Sequence, residues 1–233
     1  MQKPTLILLP GLLCDAALWG PQTAALADIA DIAVADLTQG DSMGAMADAV
    51  LRAAPPKFAL AGLSMGGYVA FEVMRRAPQR IEKLALLDTS ARPDTPEQKK
   101  ARHDLMALAR QGDFKGVTPR LLPRWVHPSR VTDRTLAETV TTMTQRVGRE
   151  AFLRQQTAIM NRPDSRPGLV DIACPTLVLC GHDDQSTPLD RHREIAADIA
   201  DARLVVVPEC GHLSTLERPE IVNREMRAWL GGN

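Results

Sequence analysis

Apolar residues along this chain gather into six short runs separated by longer, amphipathic stretches. The runs are Thr5 to Leu9, Ile32 to Leu37, Phe58 to Leu63, Lys83 to Leu87, Thr176 to Cys180 and Arg203 to Val207. Most are nearly continuous in Leu, Val, Ile and Ala, which is the pattern of strands covered on both faces. The stretches between them carry helical periodicity. Ala16 to Ala27 and Gly44 to Ala53 read as helices. After Ser64, the residues Ala70, Val73, Met74 and Ala77 fall at i, i+3, i+4 and i+7, and Pro78 ends the run. Near the C-terminus Val222, Met226, Trp229 and Leu230 share one face, with Pro219 near the start. This alternation predicts an α/β fold with an open, mostly parallel six-stranded sheet and helices on both faces.

The rhythm breaks once. Residues 92–172 give no strand and read as several helices punctuated by prolines such as Pro93, Pro123 and Pro163. An insertion of this size after the fourth strand predicts a helical lid. A subdomain used for packing or dimerisation is the blander alternative. The expectation is a single domain over 1–233, with its core at 1–91 and 173–233 and the lid at 92–172. No internal repeat or low-complexity segment interrupts it.

Composition narrows the partners. With 233 residues the chain can bury one good core, and its 45% apolar and 24% charged residues are ordinary for a globular protein. The 28 basic residues balance 28 acidic ones without a block of like charge. Nothing in that balance favours a nucleic-acid or anionic-membrane partner, which leaves a small-molecule substrate as the expectation. No apolar run approaches the roughly 20 residues of a membrane helix. The opening residues run into the first strand instead of a signal peptide, so a cytoplasmic location is expected. Cys14, Cys174, Cys180 and Cys210 form no C-x-x-C pair and have no histidines at zinc spacing. They read as buried free thiols, and no metal site is expected.

The sharpest chemical signal lies between the third strand and the next helix, in Gly62-Leu63-Ser64-Met65-Gly66. A serine on so tight a strand-to-helix turn has its hydroxyl lifted above the sheet edge, and its neighbours two residues either side must be small. The helix N-terminus behind it favours developing negative charge. A nucleophilic serine needs a base, and the base needs an orienting acid. His212 follows the last strand in a loop, where ligands meet an open α/β sheet. His103, His127 and His192 sit in polar stretches and read as solvated, while His182 lies in a turn beside two aspartates. For the acid, the fifth strand ends in Gly181-His182-Asp183-Asp184. The order Ser, Asp, His, each at a strand end, favours this turn, with Asp88 after the fourth strand as the runner-up. Backbone N–H groups of Met65 and Leu12 are the candidate oxyanion donors.

Together these motifs resemble the α/β-hydrolase superfamily over essentially the whole chain, and especially its small bacterial esterases, lactonases and carbon–carbon-bond hydrolases. In that family the catalytic aspartate commonly stands three residues after the glycine and four before the proline. Asp184 meets both spacings and Asp183 does not. The family's oxyanion donor usually follows a His-Gly pair; here the pair is Pro10-Gly11, followed by Leu12. The resemblance also implies that the chain opens near the family's third strand. A serine nucleophile separates it from the aspartate-dependent dehalogenases and epoxide hydrolases.

The expected activity is hydrolysis of a carboxylic ester or lactone by Ser64, His212 and Asp184 through an acyl-enzyme, without a cofactor. Activity should fall as pH drops through the histidine range near about 6.5. A cofactor-free carbon–carbon hydrolase, lyase or perhydrolase on the same scaffold stays open, as does a weakly hydrolytic ligand-binding receptor. Product analysis separates the first group, and a stable ligand complex with negligible turnover would mark the receptor. For the pocket, Trp19 and Trp125 are candidate aromatic contributors. One of Arg120, Arg124, Arg146, Arg149 and Arg154 could meet a substrate carboxylate, although solvated lid arginines are the blander reading.

Overall fold

The structure, a computed structural model, describes residues 3–118 and 120–232. Six strands form one sheet: β1 (Thr5–Leu9), β2 (Asp31–Val34), β3 (Phe58–Leu63), β4 (Ile81–Leu87), β5 (Thr176–Gly181) and β6 (Ala202–Val207). Their order is β2-β1-β3-β4-β5-β6 and every pairing is parallel. Parallel neighbours require long crossovers, which the helices supply. These are α1 (Gly20–Leu26), α2 (Met43–Ala53), α3 (Met65–Arg76), α4 (Pro96–Arg110), α5 (Arg134–Met160), α6 (Leu189–Asp198), α7 (Ser214–Glu217) and α8 (Pro219–Gly231).

Both sheet faces are covered, which is why the strand runs are continuous in apolar residues. Leu6 and Leu8 of β1, with Ala61 of β3, join Leu26 of α1 and Met226 of α8 on one face. Ile7 and Leu9, with Leu60, join Val50 of α2, Val73 of α3 and Ile195 of α6 on the other. From β1 the chain steps to β2 on one side, and β3 then returns to the opposite side. The C-terminal ends of β1 and β3 therefore flank the crevice where open α/β sheets bind ligands.

Element bounds differ from the sequence expectation in places. β2 ends at Val34, and Leu37 reaches the core from the loop beyond it. The helix expected from Ala16 begins as a 3-10 turn, Ala16–Trp19, before α1. Pro21 has no N–H to donate back to Ala17, so a continuous helix is interrupted there. Between β4 and β5 the described residues contain no strand, as expected, but α5 is broken at Gly148 (φ 78°, ψ 177°). The insertion is anchored on the C-terminal edge of the sheet, because Met106, Ala109, Phe152 and Met160 pack with Leu13 of the turn after β1. Among the described residues no helix is long and apolar enough to cross a membrane.

Candidate active site

Ser64 sits between β3 and α3 with φ 55° and ψ −114°, a left-handed conformation that a non-glycine residue holds at a cost of about 1–3 kcal/mol. Close packing enforces the turn. A Cβ on Gly62 would lie 2.4 Å from the Gly66 carbonyl oxygen, and one on Gly66 would lie 2.1 Å from that of Leu9. Both obstacles are backbone, so neither can swing aside. Gly66→Ala is therefore expected to lower stability by about 2–3 kcal/mol. An unchanged thermal midpoint would contradict this picture of the elbow.

Three loops converge on the serine. His212 Nε2 lies 2.9 Å from Ser64 Oγ, and His212 Nδ1 lies 2.8 Å from Asp184 Oδ2. Asp184 is buried and further accepts from the backbone N–H groups of Ser186 and Thr187 and from the Thr187 hydroxyl. Burial alone would raise the Asp184 pKa. The charge of His212 and hydrogen bonds from His212 and Thr187 outweigh it and hold the carboxyl below its usual value. Burial likewise disfavours the imidazolium of His212, but the charge and hydrogen bond of Asp184, reinforced by Asp88 and Glu217, raise its pKa above the ordinary value. The backbone N–H groups of Leu12 and Met65 have no partner within the protein among the described residues. Hydroxyl, imidazole and carboxylate in this sequence can pass a proton away from the serine, and the two free donors can meet developing negative charge.

Three further buried side chains hold this geometry. Asp88, itself at φ 43°, accepts from Gly181 N at 3.0 Å and Ser214 N at 3.1 Å, joining the acid loop to the histidine loop. Burial and repulsion by Asp184 push its pKa up to about 8. The runner-up acid thus binds backbone, while Asp184 meets the imidazole. Glu217 accepts from Gly211 N and Leu213 N, on either side of His212, and from His127 N in the insertion. His212 N in turn donates to the Trp125 carbonyl. Gln155 of α5 accepts from Leu13 N at 3.0 Å and donates to Leu37 O, fixing the turn that carries Leu12.

Glu217 and Gln155 went unnoticed in the sequence. Both act on backbone atoms, and Gln155 does so 142 residues away, so no local motif marks them. Glu217→Gln leaves one acceptor oxygen and an NH2 group facing three N–H donors. A stability loss of about 1–3 kcal/mol is expected, with kcat lowered about ten-fold through a misplaced imidazole. Thermal unfolding and steady-state kinetics together check this, and a wild-type value for both would remove Glu217 from the support of His212.

The site opens into a cavity of about 540 Å³ between the sheet edge and the insertion. Leu12, Leu63, Phe114, Trp125 and Phe152 supply apolar walls. Trp125 is there as expected, but Trp19 is wholly buried in the core. His192 is also buried, not solvated: its Nε2 accepts from Thr89 N, and burial depresses its pKa to about 4. His127 is half-buried, and His103 and His182 are exposed. Of the insertion arginines, Arg146 pairs with Asp15, Arg149 bonds the Gly112 carbonyl and Arg154 bonds that of Thr38, so these three are structural. Arg124 lines the cavity. The cysteines are free thiols; Cys14, Cys180 and Cys210 are buried and Cys174 is half-buried. Among the described residues no group of three or more His, Cys, Asp or Glu converges to hold a metal.

A parallel sheet with a strand-to-helix serine at its switch point is the plan of an α/β hydrolase. The chain belongs to the alpha/beta hydrolase family, which it matches over residues 6–225. It is 31% identical to a thermophilic esterase from Thermogutta terrifontis, solved with malate bound, over 98% of this chain and 90% of that one, with a TM-score of 0.88. The enol-lactonase from Burkholderia xenovorans LB400 is 25% identical over 99% and 91%, with a TM-score of 0.87. The pimeloyl-[acyl-carrier protein] methyl ester esterase of Aromatoleum aromaticum is 28% identical over 94% of this chain and 95% of its own length. These relatives support hydrolysis as the class of activity.

Proposed function

We propose that this chain is a serine hydrolase acting on a carboxylic ester or a lactone. The observation that carries the reading is the run of contacts from Ser64 Oγ to His212 Nε2 at 2.9 Å, and from His212 Nδ1 to Asp184 Oδ2 at 2.8 Å. His212 takes the Ser64 proton as Oγ attacks the substrate carbonyl. The tetrahedral oxyanion forms where the N–H groups of Met65 and Leu12 point. The C–O bond then breaks, and the alkoxide leaves with the proton from His212. Water, deprotonated by the same imidazole, cleaves the acyl-enzyme, releases the acid and regenerates Ser64. In this reading Asp184 holds the imidazole in the correct tautomer and stabilises its charged form. Residues 92–172 serve as the lid, since the cavity lies between them and the sheet edge. Relatives named as an esterase and an enol-lactonase favour carbonyl–oxygen bonds as the target.

The test is release of 4-nitrophenol from the acetate and butyrate esters, followed on the millisecond scale. An initial burst stoichiometric with enzyme, then slower turnover, is the expected signature of an acyl-enzyme. Absence of release above the uncatalysed rate for a panel of esters and lactones would overturn the proposal.

A further inference from the structure

The cavity wall carries an unbalanced charge. Arg102 of α4 faces the cavity, and behind it lie Asp94 and Arg162, whose side chains are 1% and 6% exposed. Asp94 accepts from Arg102 Nε at 2.5 Å and pairs with Arg162 Nη1 at 2.8 Å. Two guanidinium groups thus share one carboxylate. Arg162 is committed to structure, since it also donates to the carbonyls of Arg92 and Ile159 and stacks over the Tyr68 ring at 4.2 Å. The excess positive charge therefore falls on Arg102, whose side chain is 21% exposed.

Arg102 is also short of acceptors. A guanidinium has five N–H donors. Nε and one Nη2 proton face Asp94, and one Nη1 proton goes to Gln156 Oε1 at 2.8 Å. One N–H on each terminal nitrogen remains without a partner among the described residues, so Arg102 keeps charged donors for a ligand carboxylate. Asp94 and Gln156 hold the fork in place, so little side-chain freedom is lost when a ligand binds. Other charges on the lining reinforce it. Among the described residues Lys115 and Arg124 are cations with no ion-pair partner, and Asp113 is the sole acidic residue lining the cavity. Low-dielectric walls of Leu12, Leu63 and Phe152 focus this field on the space beside Ser64.

We propose that Arg102 is an anchor for a substrate carboxylate, so that the esters or lactones cleaved at Ser64 carry a second, free acid group. The substrate class is a monoester of a dicarboxylic acid or a carboxylated lactone. This assignment rests on the hydrolase reading for its chemistry, and on Arg102 for its selectivity.

Two substrates of equal length separate charge from shape: 4-nitrophenyl hydrogen glutarate and 4-nitrophenyl pentanoate, each corrected for spontaneous hydrolysis with Ser64→Ala. The wild type is expected to favour the glutarate by about ten-fold or more in kcat/KM at low salt, through KM, with the gap narrowing as salt rises. Arg102→Gln should reduce that preference about ten-fold, and Arg102→Lys should restore part of it. Where Arg102→Gln does not fold, Arg102→Lys and the double variant Lys115→Gln/Arg124→Gln carry the comparison. Hydrolysis of both esters with no preference for the acid, or a preference untouched by every variant, overturns the anchor and leaves the hydrolase standing. If neither ester is cleaved, calorimetry with free glutarate decides. Saturable binding weakened by Arg102→Lys supports the anchor even though the hydrolase reading has failed, and no binding at millimolar glutarate overturns it.

Discussion

Replacing Ser64 by alanine is expected to lower kcat for a carboxylic ester by about 10^4- to 10^6-fold. The variant keeps a Cβ at φ 55° and loses only the hydroxyl, so the elbow and its packing against Leu9 should persist. Activity should vanish without a matching fall in the thermal midpoint. That split separates loss of a nucleophile from loss of a fold. A residual rate above water is also expected, because the Leu12 and Met65 N–H groups and the cavity are unchanged. Retention of more than a few per cent of wild-type kcat would mean that another group performs the attack.

Asp184→Asn should cost about 10^4-fold in kcat. The asparagine amide can donate to His212 Nδ1, which leaves the imidazole in the wrong tautomer to accept the Ser64 proton. The pH profile gives a second reading. A base role requires neutral His212, so activity is expected to rise with pH through its pKa. In the wild type the Asp184 charge raises that pKa, and the acid limb should lie above the ordinary histidine value of about 6.5. Removing the charge favours the neutral imidazole, and the limb of the remaining activity should move to lower pH. A limb that stays in place would separate Asp184 from the titrating base.

Much of this could be read in the sequence, because the signals are local. Continuous apolar runs marked the strands, and their doubly covered positions, such as Leu6 and Ile7, show why alternation was missing. The glycines around Ser64 marked a turn whose packing tolerates no Cβ. The spacing implied by the family resemblance, three residues after Gly181, favoured Asp184 over Asp183, and Asp184 is the one that meets His212.

What could not be read depends on distant contacts. His192 lies among Asp190, Arg191, Arg193 and Glu194, a solvated pattern, yet it is buried, with its Nε2 accepting from the N–H of Thr89, 103 residues away. Arg146 resembles a free lid cation until Asp15 is found across 131 residues. Arg102 sits on a strongly polar helix, and only the fold brings Asp94, Gln156 and Arg162 around it. Local pattern marked the candidate reacting groups, whereas their supports and the charge on the cavity wall come from tertiary structure.

The most direct measurement of the central claim is labelling with a fluorophosphonate, followed by mass mapping of the modified peptide. Attack by an activated serine displaces fluoride and leaves one phosphonyl group on Ser64 Oγ. One adduct per chain is expected, on Ser64, absent in Ser64→Ala and forming more slowly as His212 is protonated. An unlabelled Ser64 in folded protein, or a label on another residue, would contradict the assignment of Ser64 as the nucleophile.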